Sequence, residues 1–151
     1  MKSDFVQFVI ALLVLAIGGA VEEMMPKILG VGVPVLLMAT VFFTARRTPL
    51  AALLFALAAG AVEDSLSSLP GLTSVSFFML AAVTARFSRL PAVCMALAHP
   101  VFQLWLWLWI PGLSGGVFGR VLVSLPVGFS TAFLTTLVLW WVDRKGAVGE
   151  D

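Results

Sequence analysis

Charge is scarce in this chain. Only 11% of its 151 residues are Asp, Glu, Lys or Arg, it has one His and one Cys, and it has no Tyr. Charged residues make up about a quarter of an ordinary soluble domain, so a normal water-facing surface is excluded. The lone Cys94 excludes an intrachain disulfide or thiolate cluster. No HExxH, CxxC or GxSxG pattern occurs, nor any phosphate-cradling glycine loop, so hydrolase, metalloenzyme and nucleotide-enzyme readings lack their residues. The chain therefore reads as non-catalytic and without a cofactor. A net charge of +1 with no long basic run excludes a nucleic-acid footprint. What is abundant is apolar: 61% hydrophobic residues and a mean hydropathy of +1.10 describe an integral membrane protein whose surroundings are the lipid bilayer.

A hydrocarbon core about 30 Å thick takes roughly 20 apolar residues per helix, so this length allows about six crossings and no soluble domain. Apolar runs between charge clusters fall near 5–21, 28–45, 49–63, 72–86, 91–110 and 117–142. The expected fold is all-α: a polytopic six-transmembrane-helix bundle forming a single domain over 1–151. Thr48-Pro49 reads as an N-cap followed by proline at the first helical position, and Pro91 opens the fifth helix in the same way. Pro70-Gly71 and the stretch Pro111-Gly112-Leu113-Ser114-Gly115-Gly116 close the third and fifth helices. The third and fourth are short, since about 15 residues span only roughly 22 Å. Lys2 before an apolar run ending in Gly18-Gly19-Ala20 has the look of a secretory signal, but the run is long for one, and the expectation is a retained helix.

Six crossings put Lys2, Arg46, Arg47, Arg86, Arg89, Arg144 and Lys145 on one side and only Lys27 and Arg120 on the other. By the positive-inside rule both termini are cytoplasmic. Trp105, Trp107 and Trp109 then approach the outer interface, and Trp140 and Trp141 the inner one.

Four of the eight acidic residues occur in two near-identical pentapeptides, Gly19-Ala20-Val21-Glu22-Glu23 and Gly60-Ala61-Val62-Glu63-Asp64. Both end outward-running helices. Acids there oppose the helix macrodipole at a cost of about 0.3 to 1 kcal/mol each, so something other than their own helix must favour them. Glu22 and Glu23 read as acids solvated at the membrane surface. Asp64 shares a helix face with Ala52, Ala56 and Gly60, a smooth strip along which backbones can approach closely. That strip makes the third helix a central packing helix, with Asp64 at its mouth as either a loop-bonding or a partner-docking carboxylate. Glu63 points about 100° away, so the neighbouring acids do not form an acid–base pair on one face.

The run Gly60-Ala61-Val62-Glu63-Asp64-Ser65-Leu66-Ser67-Ser68-Leu69-Pro70-Gly71 resembles the bacterial rod shape-determining MreD family, whose members often carry Gly-x-x-x-Asp at a helix end followed by a turn with Pro and Gly. Gly60, Asp64 and Pro70 match by position; Ser68 stands where a glycine is common, and Gly71 comes one residue early. The similarity is strongest over residues 53–86. The resemblance implies a non-catalytic subunit of the cell-elongation, peptidoglycan-synthesis machinery in the bacterial inner membrane. Its partner would be an MreC-like bitopic protein, with MreB, RodA and a class B penicillin-binding protein as indirect partners. The family's bundle is also similar to the S components of energy-coupling-factor transporters, which makes a vitamin-type small-molecule transport subunit the alternative. Partner-binding or packing candidates are then Gly60, Glu63, Asp64, Pro70, Gly71, Ala52 and Ala56.

His99 and Gln103 are the remaining intramembrane polar groups, one turn apart and beside Pro100. Two readings apply: a proton or ligand contact, or interhelical hydrogen bonding. In the second, Ser130, Thr131, Thr135 and Thr136 of the sixth helix are candidate partners. Pro126 is expected to bend that helix. A transport subunit needs a cavity with converging polar groups, whereas a scaffold needs small-residue seams and open apolar faces.

Overall fold

The computed structural model describes residues 2–28, 30–110 and 116–147. They form six helices: α1 (Lys2–Met24), α2 (Val35–Arg46), α3 (Pro49–Leu66), α4 (Thr73–Phe87), α5 (Pro91–Trp109) and α6 (Val117–Ala147). The turn expected over 111–115 lies outside the described residues.

Four of these are long and apolar enough to cross a membrane: Phe5–Met24, Pro49–Leu66, Ala92–Trp109 and Val117–Val142. Large apolar side chains such as Phe5, Leu54, Leu108 and Phe133 are exposed on them, as a lipid-facing surface requires. The chain is a multi-pass membrane protein. Of the third and fourth helices, expected to be short, α4 is, at 15 residues, whereas α3 has 18, and the other short helix is α2. Hydropathy over 28–45 predicted one helix, but its first part is a non-helical segment in which Ile28 and Val31 exchange backbone hydrogen bonds and Gly30 takes φ +75°. Pro34 then stands at the N-cap of α2. The third helix instead extends through Leu66, past the expected end at 63.

Helix α3 packs against α1, α2 and α4, with its closest approach to α4, and α2 is more central still, because it touches all five other helices. Leu36 through Thr44 are all buried, the pattern of a helix enclosed by its neighbours. At 12 residues it rises only about 18 Å. Its hydroxyls leave no unmet need, since Thr40 and Thr44 donate to Leu36 O and Thr40 O at 2.8 Å each. Phe43 packs edge-on against Phe55 of α3, and Phe77 and Phe78 of α4 meet Phe102 of α5.

Charged residues sort to the two ends of α2. At its C-terminus Arg86 of α4 donates to Thr44 O at 3.3 Å and Arg47 O at 3.1 Å, meeting carbonyls that a helix end leaves without partners. At its N-terminus Glu22, Lys27, Glu63 and Arg120 line a common cavity.

Candidate functional site

Thr48 caps α3 as the sequence predicts, its hydroxyl accepting from Ala51 N at 3.4 Å, with Pro49 in the first turn. From there Ala52, Ala56 and Gly60 run along the α3 face and are buried. A Cβ at Gly60 would lie 2.5 Å from Val75 Cα and 2.8 Å from Val75 N, so glycine is what lets α3 and α4 touch backbone to backbone. Of the packing and partner-binding roles open to this strip, packing against α4 is the one seen at Gly60.

Asp64, one turn beyond Gly60, completes the same contact. Its carboxylate accepts from Ser74 N at 2.7 Å and Val75 N at 3.3 Å, two free donors in the first turn of α4. Of the two roles open to Asp64, the structure gives it the loop-bonding one, extended to the next helix. Between them Leu69 N bonds Asp64 O, Thr73 Oγ1 donates to Pro70 O, and Ser68 and Leu72 take positive φ. Ser68 thus supplies, at φ 50°, a conformation that glycine adopts more readily. Gly71 is exposed, and a Cβ there would meet nothing within 4 Å. Trp105 of α5 donates its Nε1–H to Thr73 O at 3.0 Å, fastening this turn to the bundle.

The first pentapeptide works the same way. Glu22 is not solvated, because the chain after α1 folds back over it and leaves it 7% exposed. Its Oε1 accepts from Leu36 N at 2.7 Å, in the first turn of α2. One acid of each pentapeptide, Glu22 and Asp64, thus sits at the end of one helix and accepts from the start of the next, where the positive dipole end favours it, although the two do not occupy equivalent positions of the repeat. This answers the macrodipole objection. Glu23 is exposed, as expected. The two pentapeptides also touch: a Cβ at Gly19 would lie 3.2 Å from Val62 Cγ1, and the Glu22 carboxyl adjoins that of Glu63. Glu63 turns away from Asp64, as helix geometry requires, and accepts from Ser67 Oγ at 2.8 Å.

Glu22 and Glu63 share a cavity of about 250 Å³ with His99 and Gln103 of α5. His99 is buried; its Nδ1 lies 3.2 Å from Ser124 O and its Nε2 lies 3.3 Å from Gln103 Nε2. A carbonyl only accepts, so the tautomer with a proton on Nδ1 donates to Ser124 O and receives the Gln103 amide at Nε2. The His99–Gln103 pair therefore links α5 to α6 by hydrogen bonding. The partner on α6 is a backbone carbonyl, not the expected hydroxyls: Thr131 donates to Val127 O and Thr136 to Met95 Sδ. Gly128 makes room, since its Cβ would lie 2.8 Å from that of His99. Sequence reasoning missed Ser124 and Gly128, although Gly128 two residues after Pro126 was a visible signal of close approach.

The Glu22 carboxyl, in contrast, is hydrogen-bonded to that of Glu63, so these two acids share a proton. No group of three or more His, Cys, Asp or Glu able to hold a metal ion occurs among the described residues. Away from this cavity, a second hollow of about 420 Å³ opens on the α1 and α3 faces at the other end of α2, lined by Phe8, Ala11, Leu12, Ala51, Leu54 and Ala58 among others. Comparison with protein-family models, curated proteins and solved structures finds no match to this chain.

Proposed function

We propose that this chain is a non-catalytic scaffold subunit of the bacterial cell-elongation machinery, crossing the inner membrane six times with both termini cytoplasmic and holding an MreC-like bitopic protein by its single transmembrane helix. One observation carries the reading. The residues on which the MreD resemblance rests, Gly60, Asp64 and Pro70, form one mechanical unit, the backbone-close α3–α4 hairpin with its carboxylate cap. A motif that fixes how two helices meet builds a rigid face; it does not supply chemistry.

The docking face in this reading is the adjoining side of α3, since the Ala52–Ala56–Gly60 strip is already covered. The hollow between α1 and α3 offers Ala11, Ala51 and Ala58 beside exposed Phe8, Leu12 and Leu54. Small residues flanked by large apolar ones suit a helix packed from the lipid side. The short α2 and α4 cross with the shelter of their neighbours, and the segregation of Arg46, Arg47, Arg86 and Arg89 supports the cytoplasmic end.

The test is disulfide or photo-crosslinking from Ala11 and Ala58 to the MreC-like partner in membranes, after Cys94→Ala. Crosslinks at both positions, and loss of partner co-purification on Ala58→Trp at unchanged membrane levels, are the expected result. A partner that remains bound to Ala58→Trp and crosslinks from neither position removes the scaffold reading. The alternative, a substrate-binding transport subunit, draws its support from the polar cavity beside Glu22.

A further inference from the structure

Among the described residues α1 packs only on α2 and α3, and it turns exposed Phe5, Leu13, Ile17 and Met24 to the bilayer. Its last turns are held by few contacts. Gly18 and Gly19 let its backbone approach Leu36 and Val62, and the Glu22 carboxyl accepts from Leu36 N at 2.7 Å and is hydrogen-bonded to Glu63 of α3. A carboxylate only accepts, so a hydrogen bond between two carboxyl groups exists only while one of them carries a proton. Without that proton the same two groups, held side by side beneath the chain that folds back after α1, are like charges that repel. At this end of the bundle the polar link between α1 and α3 therefore depends on one proton. Glu63 is steadied within its own helix by the Ser67 hydroxyl at 2.8 Å, which leaves α1 as the side that moves.

We propose that the proton shared by Glu22 and Glu63 is a clasp that fastens the end of α1 to α3 and releases it as pH rises. The clasp itself does not rest on the scaffold reading. Its consequence does: α1 and α3 are also the walls of the apolar hollow offered to a partner helix, so a proton at one end sets how those walls stand at the other. The fastened form binds one more proton than the released form, so acid favours fastening and alkali favours release. The released proton goes to solvent at the mouth of the cavity, beside exposed Lys27. The other charged groups around the pair do not replace the clasp. Glu23 of α1 is exposed, and Asp64 of α3 is turned to Ser74 and Val75 of α4. His99 of α5 is bonded to Ser124 O and Gln103. Among the described residues, α2 and α4 bring only apolar side chains to the cavity. Arg120 of α6 lies against Gly30, where a Cβ would meet its guanidinium, and Lys27 lines the cavity from the same fold-back chain. Both cations favour the ionised acids, and so the released form.

The experiment uses the full chain in nanodiscs, with Cys94→Ala as background and spin labels on cysteines placed at Met24 and Ser65, both exposed and near the ends of α1 and α3. Label-to-label distances and infrared spectra are taken across one pH series from acid to alkaline. In neutral buffer the chain should show the carbonyl stretch of a protonated carboxyl, which a carboxylate lacks. As pH rises that band should vanish while, over the same interval, the label distance lengthens by about 1 to 2 Å or more, the scale of helix shifts at packed interfaces. Glu63→Gln gives Glu22 an amide N–H in place of the shared proton, so it should lack the band and hold the short distance throughout the series. Glu22→Gln, which still offers an oxygen to Leu36 N and an amide N–H to Glu63, gives the same reading if the first variant misfolds. His99→Gln should leave both transitions in place. Absence of the protonated-carboxyl band, a distance that ignores its loss, an unaltered transition in a folded Gln variant of either acid, or a transition that disappears in His99→Gln overturns the proposal. Partner crosslinking from Ala11 and Ala58 is a separate measurement, so failure here is distinct from failure of the scaffold reading.

Discussion

Asp64 holds the backbone N–H of Ser74 at 2.7 Å, ten residues ahead in the chain and across a turn. A side chain at the end of one helix therefore acts as the N-cap of the next. Leu72, which stands at the N-cap position of α4, has no side-chain acceptor to offer. Asp64→Ala is expected to lower stability by about 1 to 2 kcal/mol, the usual loss for a removed cap. Asp64→Asn, which keeps an acceptor, should lose less than half of that. Asp64→Lys should be worse than Ala, because it places a cation against the positive end of α4. Thermal unfolding of the purified variants in one detergent gives the ranking. An Asp64→Lys variant as stable as wild type would return this residue to the protein surface and to a docking role.

The same hairpin makes a sharper claim at Gly60. Its missing Cβ is opposed by backbone atoms of Val75, which cannot rotate aside as a side-chain tip can. Gly60→Ala should therefore destabilise by about 1 to 3 kcal/mol despite the better helix propensity of alanine, the size of an overpacked contact. Gly71→Ala, in open space and outside the positive-φ region, is the control that should change little. A Gly60→Ala variant with unchanged melting would show that α3 and α4 do not approach this closely.

Much of this arrangement was legible in the sequence, and the failures share a cause. Charge breaks and prolines located all six helices, Thr48 and Pro49 marked the start of α3, and the four-residue spacing of Ala52, Ala56 and Gly60 revealed a close-packing face. What pressed against that face was not legible, because periodicity identifies a strip but not its occupant. The second helix was read too long because Ile28 to Val33 is as apolar as a helix; only Gly30, Gly32 and Pro34 marked it as irregular. Glu22 was misjudged for a related reason. Its burial depends on that same segment folding back, which hydropathy does not report. The likeness of the two pentapeptides was no guide either, since in register Glu22 pairs with Glu63 and Glu23 with Asp64, yet Glu22 and Asp64 are the acids that reach the next helix.

At the α5–α6 contact, His99 should behave as a bonding group that Gln replaces better than Leu. His99→Leu leaves the buried Gln103 amide without its acceptor, a loss of about 1 to 3 kcal/mol, whereas Gln retains polar atoms near Ser124 O. A double-mutant cycle with Gln103→Leu should return a coupling near 0.6 kcal/mol and no more than about 1.7, the range measured between helices in bilayers. Equal stability of all four proteins, with loss of growth function in each His99 variant, would point to proton or ligand contact instead.

Orientation gives the last prediction. Arg86 reaches Thr44 O and Arg47 O, so Arg46, Arg47 and Arg86 cluster at one end of α2, while Lys27 and Arg120 border the cavity at the other. By the positive-inside rule, a bundle with this asymmetry is expected to insert with its arginine-rich end in the cytoplasm. With Cys94 first changed to Ala, single cysteines at Arg46 and Arg89 should stay unlabelled by an impermeant thiol reagent in intact cells and react once the membrane is opened. Cysteines at Lys27 and Ser68, both exposed, should react before opening. The short α2 and α4 make the test informative beyond orientation. If α2 failed to cross, the Arg46 site would label like the Lys27 site; if α4 failed, the Arg89 site would label like the Ser68 site. Labelling of both Arg46 and Arg89 in intact cells, with Lys27 and Ser68 protected, would reverse the orientation and remove the cytoplasmic termini and the outward-facing cavity together.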